Sequence, residues 1–440
     1  MEEKIEHYFK FVEHRLKDKD YRFEYRCFCL LTQRLFADVA IRGLDALAAQ
    51  RADAQQQDTK PVNIYIARHL SEFDWQEIQR SLASTGMMAT IQAGDNLFIG
   101  PLDPFLRHFG GFKVFRKEAR IFSPHWLADS VYRLLDKLWR HTAVSSLFTA
   151  LRCKRRQPLI IDQTLSRDIY IAYMKHLIQV EGRDILIFPE YTKNAQKKIK
   201  YGRSYSGRLL DFTPLIFKLI RDINKKTDRK IQLVPVNVSY ERVVEDQSFS
   251  TLEQMKTNRL TRPFTYLADY FFNYTHWIYQ RNRGRVVVTF GEPVVLQKKM
   301  GFKIRLHEDL RKKVGELQAV FPTQILAYAF QEDTELSESE LLARVDKTVS
   351  AMKNVKADLG YVEGLTAKEI VQSAYDHFDM HRKRRFLVWN EEKNIYVIKR
   401  KDILSQYRNH VLHLFEKWHD KEKLLKIIDI FRDGKDMDSF

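Results

Sequence analysis

The chain is expected to adopt an α/β fold, a mixed sheet flanked by helices with helical additions at both ends, and three observations lead there. First, short β-branched runs recur: PVNIYIA from Pro61, DILIFPE from Asp184, IQLVPVNVSY from Ile231 and GRVVVTFGEPV from Gly284. They alternate with amphipathic stretches, the pattern of a sheet covered by helices. Second, 440 residues with 44% hydrophobic and 12% aromatic content, only 16 Gly and 11 Pro, supply core for two to three domains and exclude a disordered or fibrous chain. Third, the alternation is confined to the middle of the chain. Residues 1–58 carry helix spacing (Tyr8, Phe9, Val12, Leu16, then Leu30, Leu31, Leu35, Val39, Ile41), and residues 301–440 are charge-rich and mainly helical. The expected division is therefore 1–58, a helical segment; 59–300, the sheet domain; and 301–440, a helical region.

Each element has its own signal. The polar linker AQQQDTK separates the first segment from the strand at Pro61, and SEFDWQEIQRSLAST follows as a helix that Ser71 is placed to cap. MMATIQA and FKVFR read as the next strands, YIAYMKHLIQVEG as a helix feeding DILIFPE, and LLDFTPLIFKLIRDI as a helix before the strand at Ile231. Pro235 inside that strand suggests an edge or bulge position. In the last region RFLVWNEEKNIYVIKR is a hairpin candidate with NEEKN as its turn.

Charge and cysteine usage narrow the function classes. Lys and Arg number 74 against 57 Asp and Glu, a net charge of +17, which calls for an anionic partner: nucleic acid, an anionic membrane surface, or a phosphorylated substrate. The basic clusters KRR and HRKRR come with no RNP-type, zinc-finger or helix-turn-helix signature, and the aromatics fall at core spacing, so no nucleic-acid partner is expected. The three cysteines form no paired metal-ligand spacing and point to a reducing compartment with no metal. The first twenty residues lack the apolar core of a signal peptide, and no apolar run approaches the roughly 18–20 residues that span a bilayer. The expected location is cytoplasmic, peripheral on a membrane face.

Four segments carry candidate chemistry. His69 and Asp74 stand where the first strand hands over to a helix, at the carboxyl end of a strand, where open α/β sheets place their sites. His69 is the only one of the 14 histidines with Asp five residues on. A carboxylate at that distance can orient the imidazole and leave its other nitrogen to take a proton from a hydroxyl; the plain alternative is a capping histidine with a first-turn acid. Arg116 ends the strand after Gly110-Gly111 and offers a fork for phosphate, or else a surface ion pair with Glu118. Glu190, in Phe188-Pro189-Glu190, closes an apolar strand and precedes the basic stretch YTKNAQKKIKYGRSYSGR, which can wrap an anion or be a solvated loop. Pro235, in Val234-Pro235-Val236, shapes a pocket wall or is ordinary core.

Order and spacing matter more than any one piece. Across about 170 residues the set resembles the four sequence blocks of the glycerolipid acyltransferases: His-x4-Asp, Gly-x-x-x-x-Arg, Phe-Pro-Glu, and Val-Pro-Val near Tyr240-Glu241. The match is closest to the glycerol-3-phosphate acyltransferase branch. Ala93-Gly94-Asp95-Asn96-Leu97, Tyr240-Glu241-Arg242-Val243, GRVVVTFGEP, and the C-terminal Tyr407-Arg408-Asn409 with His413-Leu414-Phe415 point to the same branch, and the resemblance covers roughly residues 60–420.

The resemblance implies that His69 is the general base for the acceptor hydroxyl, with Asp74 as its orienter. It further implies that Arg116 binds the acceptor phosphate, that Glu190 orders the acceptor site or its loop, and that Pro235 lines the acyl-donor side. It implies direct transfer from acyl-CoA or acyl carrier protein to glycerol 3-phosphate, without metal, cofactor or acyl-enzyme. In keeping with that, the chain has no Gly-x-Ser-x-Gly elbow. Lysophosphatidate and dihydroxyacetone phosphate are alternative acceptors within the class, and an inactive membrane-surface scaffold is the contrasting class. One block departs from the pattern. After Glu190 comes Tyr191, and Gly202-Arg203-Ser204 appears only later. Either about ten residues are inserted and Arg203 is the third-block cation, or Lys193 stands in directly; the continuation GRSYSGRL favours the insertion. Arg68 stands before His69 where the branch more usually has a small or amide residue, which bears on acceptor preference.

Overall fold

A computed structural model describes residues 5, 8–16, 21–56, 60–94, 98, 102–114, 119–121, 159–161, 163–193, 199–201, 204, 206–246, 283–298, 306–378 and 386–416. Its centre is an eight-stranded mixed sheet: β1 (Val39–Arg42), β2 (Val62–Ala67), β3 (Thr90–Gly94), β4 (Gly111–Val114), β5 (Ile185–Ile187), β6 (Ile231–Tyr240), β7 (Val286–Phe290) and β8 (Val294–Val295). The order is β1-β7-β6-β2-β5-β3-β4, with β8 beside β6. Strands β6, β2, β5, β3 and β4 run parallel, whereas β7 and β8 pair antiparallel to β6. The carboxyl ends of β2, β3, β4 and β5 therefore share one rim of the sheet.

Both faces of the sheet are covered, which explains why its strands are nearly continuous apolar runs. On β2, Val62, Ile64 and Ile66 face one side while Tyr65 and Ala67 face the other, the two-residue period of a strand. The first face packs on α5 (Gln163–Lys175), α6 (Pro214–Asn224) and α7 (Leu306–Glu316) through residues such as Ile169, Met174, Phe217, Ile220 and Leu310. The second packs on α3 (Asp74–Ser84) through Ile78 and Leu82, with Leu35 at the end of α1 (Arg22–Leu35). Two further helices, α2 (Leu44–Gln56) and α4 (Leu102–His108), flank the sheet's chain connections.

Four expectations change here. The segment 1–58 is not helical throughout, because Val39–Arg42 is a strand that pairs parallel with Val286–Thr289 and extends the main sheet. Val39 and Ile41 continue the helix spacing of the preceding segment, yet their two-residue spacing fits a strand as well, and Gly43 at φ +75° ends it. Pro235 is not on an edge strand, since β6 lies between β2 and β7. It is tolerated because the antiparallel neighbour is interrupted there: β7 ends at Phe290, β8 begins at Val294, and the Pro235 carbonyl accepts the Gly291 N–H at 2.8 Å. Ser71 is not the α3 cap; the helix starts three residues later. The stretch after Glu190 is not simply a loop. Glu190–Lys193 pairs antiparallel with Ile199–Tyr201 and with Asp211–Phe212.

The last region has its own core, built from α8 (Pro322–Phe330), α9 (Glu338–Asn354), α10 (Ala367–Phe378) and α11 (Lys401–Asn409) with a three-stranded sheet. The expected hairpin is there, Leu387–Asn390 against Ile395–Ile398, turning through Asn394 at φ +53°. This region is fastened to β6 by polar contacts: Ala319 N–H to Ser239 Oγ at 3.0 Å, Asn237 Nδ2 to Gln318 Oε1 at 3.3 Å, and Gln324 Nε2 to the Tyr240 carbonyl at 2.7 Å. Among the described residues no helix is long and apolar enough to cross a membrane.

Candidate active site

His69 follows β2 by two residues, and Asp74 opens α3, so the turn between them folds the two side chains together at the sheet rim. His69 Nδ1 lies 3.1 Å from Asp74 Oδ2. The same oxygen accepts the N–H groups of Leu70 at 2.5 Å and Ser71 at 2.8 Å, while Asp74 Oδ1 accepts the Tyr240 hydroxyl at 2.7 Å. Four donors thus surround a carboxylate that is fully buried, whereas the His69 side chain keeps 20% of its surface exposed. A buried carboxylate so satisfied has little freedom to turn away. It accepts from Nδ1–H and sets the tautomer that presents a lone pair on Nε2. The Phe188 ring supports the imidazole, with centroids 4.5 Å apart. Burial and the adjacent Asp74 raise the Tyr240 phenol's pKa well above its ordinary value, so it stays a donor.

The turn is also held from outside. Glu245 accepts the Ser71 hydroxyl at 2.9 Å and the Glu72 N–H at 2.7 Å. Glu190, completely buried, accepts the His69 N–H at 2.5 Å with one oxygen and the Leu210 N–H at 2.8 Å with the other. Burial pushes the Glu190 carboxyl up to about 7, opposed chiefly by the Arg68 guanidinium. Arg68 points away from the imidazole into the interior, where it donates to the Gly207 carbonyl and to Gln318 Oε1. One turn deeper, Glu77 of α3 accepts the Thr32 hydroxyl of α1 at 2.7 Å, and burial lifts its carboxyl to about 7.

The candidates from sequence therefore separate. The structure brings together His69, Asp74, Glu190 and Ser204, whose N–H donates to the His69 carbonyl at 3.1 Å. Glu190 spends its carboxylate on backbone N–H groups of the turn and of the Leu210 segment. Pro235 is buried on β6, level with Ile66 of β2. Lys193 ends the short strand that begins at Glu190. Arg116, Gly202 and Arg203 lie outside the described residues; Arg116 follows β4 by two positions in the chain. Sequence reasoning missed Tyr240 as a ligand of Asp74, although it had marked Tyr240-Glu241, and it missed Glu245 entirely; it marked Asn409 only within Tyr407-Arg408-Asn409, with no contact assigned to it. Strand register alone brings Tyr240 to Asp74, and no local pattern encodes it.

Comparison with known proteins agrees with this arrangement at a distance. The chain is similar to a glycerol-3-phosphate acyltransferase of Aeromonas hydrophila subsp. hydrophila, with 23% identity over 403 residues, 85% of this chain and 42% of the relative. It is similar to another glycerol-3-phosphate acyltransferase, from Pseudoalteromonas atlantica, with 21% identity over 403 residues and the same coverage. No family model matches the chain. The chain thus spans 42% of the length of these curated relatives, and its similarity to them supports a relationship with glycerol-3-phosphate acyltransferases.

Proposed function

We propose that the chain is an O-acyltransferase that moves a fatty acyl group from acyl-CoA or acyl carrier protein to the sn-1 hydroxyl of glycerol 3-phosphate, giving lysophosphatidate. The observation that carries the reading is the His69 Nδ1–Asp74 Oδ2 contact at 3.1 Å, made to a carboxylate buried at the rim of the mixed sheet. His69 Nε2 takes the proton of the acceptor hydroxyl as its oxygen attacks the thioester carbonyl. The tetrahedral intermediate collapses, the C–S bond breaks, and the imidazolium returns the proton to the leaving thiolate. The new ester and the free thiol balance the step, and no covalent enzyme intermediate is required.

The remaining assignments follow from the same resemblance. Arg116 and Arg203, with Lys193 as the alternative to the latter, are the cations for the acceptor phosphate. The hairpin after Glu190, which returns the chain to Ser204 beside His69, supports the insertion and hence Arg203. Gly202 and Ser204 belong to the same acceptor segment. Glu190 orders the acceptor loop through its two backbone contacts, and Pro235 lines the donor side. The surplus of positive charge attracts both anionic substrates and holds the enzyme peripherally on the cytoplasmic face of an anionic membrane.

The test is transfer of labelled palmitoyl-CoA, and in parallel palmitoyl-acyl carrier protein, to glycerol 3-phosphate, lysophosphatidate and dihydroxyacetone phosphate. Lysophosphatidate is the expected product from glycerol 3-phosphate. Transfer only to another acceptor would reassign the substrate, and no transfer with any combination would reject the enzyme reading.

A further inference from the structure

Ser204 touches the His69–Asp74 turn, and residues of the C-terminal region grip Ser206, Gly207, Leu209 and Leu210. Ser204 donates its N–H to the His69 carbonyl at 3.1 Å. The Ser206 carbonyl accepts Asn409 Nδ2 at 2.8 Å, and the Gly207 carbonyl accepts Arg68. Gly207 sits at φ +76°, and a Cβ there would collide with the Gln406 carbonyl oxygen and lie 2.9 Å from His410 Cδ2, so the segment rests directly on the end of α11. Arg311 of α7 donates to the carbonyls of Leu209 and Leu210, at 2.8 and 2.9 Å. Arg68 completes the clasp by reaching the His410 carbonyl at 3.4 Å and Gln318 at 3.1 Å.

We infer that Asn409, acting through the Ser204–Gly207 turn, is a positioning residue for the acceptor, so that a helix far from the sheet in sequence sets how tightly the polyol phosphate is seated beside His69. The inference rests on the acyltransferase reading above. Its direction, toward the acceptor and not the acyl donor, comes from the turn itself. The turn carries two hydroxyls, Ser204 Oγ and Ser206 Oγ, 3.3 Å apart, and it abuts the backbone of the proposed base. Paired hydroxyls next to the His69 backbone are the chemistry of a segment that meets a small polar molecule rather than an acyl chain. Asn409 makes none of these contacts to His69 or Asp74, so any effect on transfer passes through the turn.

The experiment compares wild type with Asn409→Ala and Arg68→Lys, measuring KM for glycerol 3-phosphate, KM for palmitoyl-CoA and kcat separately, together with hydrogen exchange of the 204–210 peptide. Loss of a single buried hydrogen bond should raise KM for glycerol 3-phosphate about fivefold. KM for palmitoyl-CoA should stay within about twofold, and exchange in 204–210 should speed up. Arg68→Lys, which keeps the charge and loses the fork, should shift both readouts the same way and serves if Asn409→Ala does not fold. An active Asn409→Ala enzyme with unchanged KM for glycerol 3-phosphate, or with both KM values moved equally, overturns the inference alone. Absence of transfer by the wild type overturns the acyltransferase reading and this inference with it.

Discussion

At the scale of single residues, the site is a carboxylate that has been given every donor it needs. Asp74 receives His69, two backbone N–H groups and Tyr240, and each contact fixes a different degree of freedom of the carboxyl plane. Tyr240→Phe removes the one donor on Oδ1 while keeping the ring that packs near Phe36. It should lower stability by about 1–3 kcal/mol in urea unfolding and slow transfer about tenfold, because a buried acceptor loses its partner and the dyad its orientation. The Glu77 carboxyl is held near 7, above its ordinary 4.5, by burial. The folded chain therefore keeps a proton that the unfolded chain releases between those values, so this residue makes stability fall as pH rises from about 4.5 to 7. Glu77→Gln should gain stability relative to wild type as pH rises through that window, measured as unfolding midpoints at pH 5 and pH 8; an unchanged difference would contradict the assignment. The dyad was legible in sequence because six consecutive residues contain it. Tyr240 and Glu245 were not, because they reach the turn from 166 and 174 positions away, Tyr240 at the end of β6 and Glu245 from the turn that follows it.

At the scale of elements, the sheet was readable where strands are buried on both faces and blurred where they are short or at the margin. The runs at β2, β5, β6 and β7 are buried almost throughout, with turn residues around them, and they appeared as expected. β1 has four residues that are all half-buried, so no buried run marks it as a strand, and Val39 and Ile41 fit the helix spacing before it equally well. Its end depends on Gly43, whose added Cβ would collide with the Phe290 carbonyl oxygen at φ +75°. Gly43→Ala should cost on the order of 2 kcal/mol or more in thermal or urea unfolding. A neutral effect would mean that the β1–β7 junction is looser than the structure has it. Pro235 gives the complementary lesson. Its type alone argued for an edge or a bulge, and it is a break in the neighbouring ladder, not an edge, that lets it sit in a central strand.

At the scale of the whole molecule, the chain past residue 300 is shared between cores: Leu310 and Val314 belong to the core under the sheet, and the core of the last region begins at Val320. α7 packs into the core under β2 and β6, Gln318 and Ala319 hydrogen-bond to β6, and the Tyr407 hydroxyl donates to Asp246 at 2.8 Å. Glu241, just past β6, is held down to about 2, against its own burial, by hydrogen bonds from Arg285 and from His377 of α10. A single cooperative transition is expected in calorimetry of the intact chain; two resolved transitions would mean that these contacts contribute little. Four ordered blocks made the relationship to glycerol-3-phosphate acyltransferases visible from sequence, and the two curated relatives extend the similarity over 85% of the chain. The way the last region packs against the residues beside the His69–Asp74 turn was not visible there, because it depends on contacts between segments as far apart as Arg68 and His410. The central claim is that His69 is the base for acyl transfer, and the most direct measurement is the rate of lysophosphatidate formation by His69→Ala beside wild type at saturating palmitoyl-CoA and glycerol 3-phosphate. A loss of about a hundredfold or more, with an unchanged unfolding midpoint, is the predicted result; a variant that keeps its rate within a few-fold of wild type would contradict it.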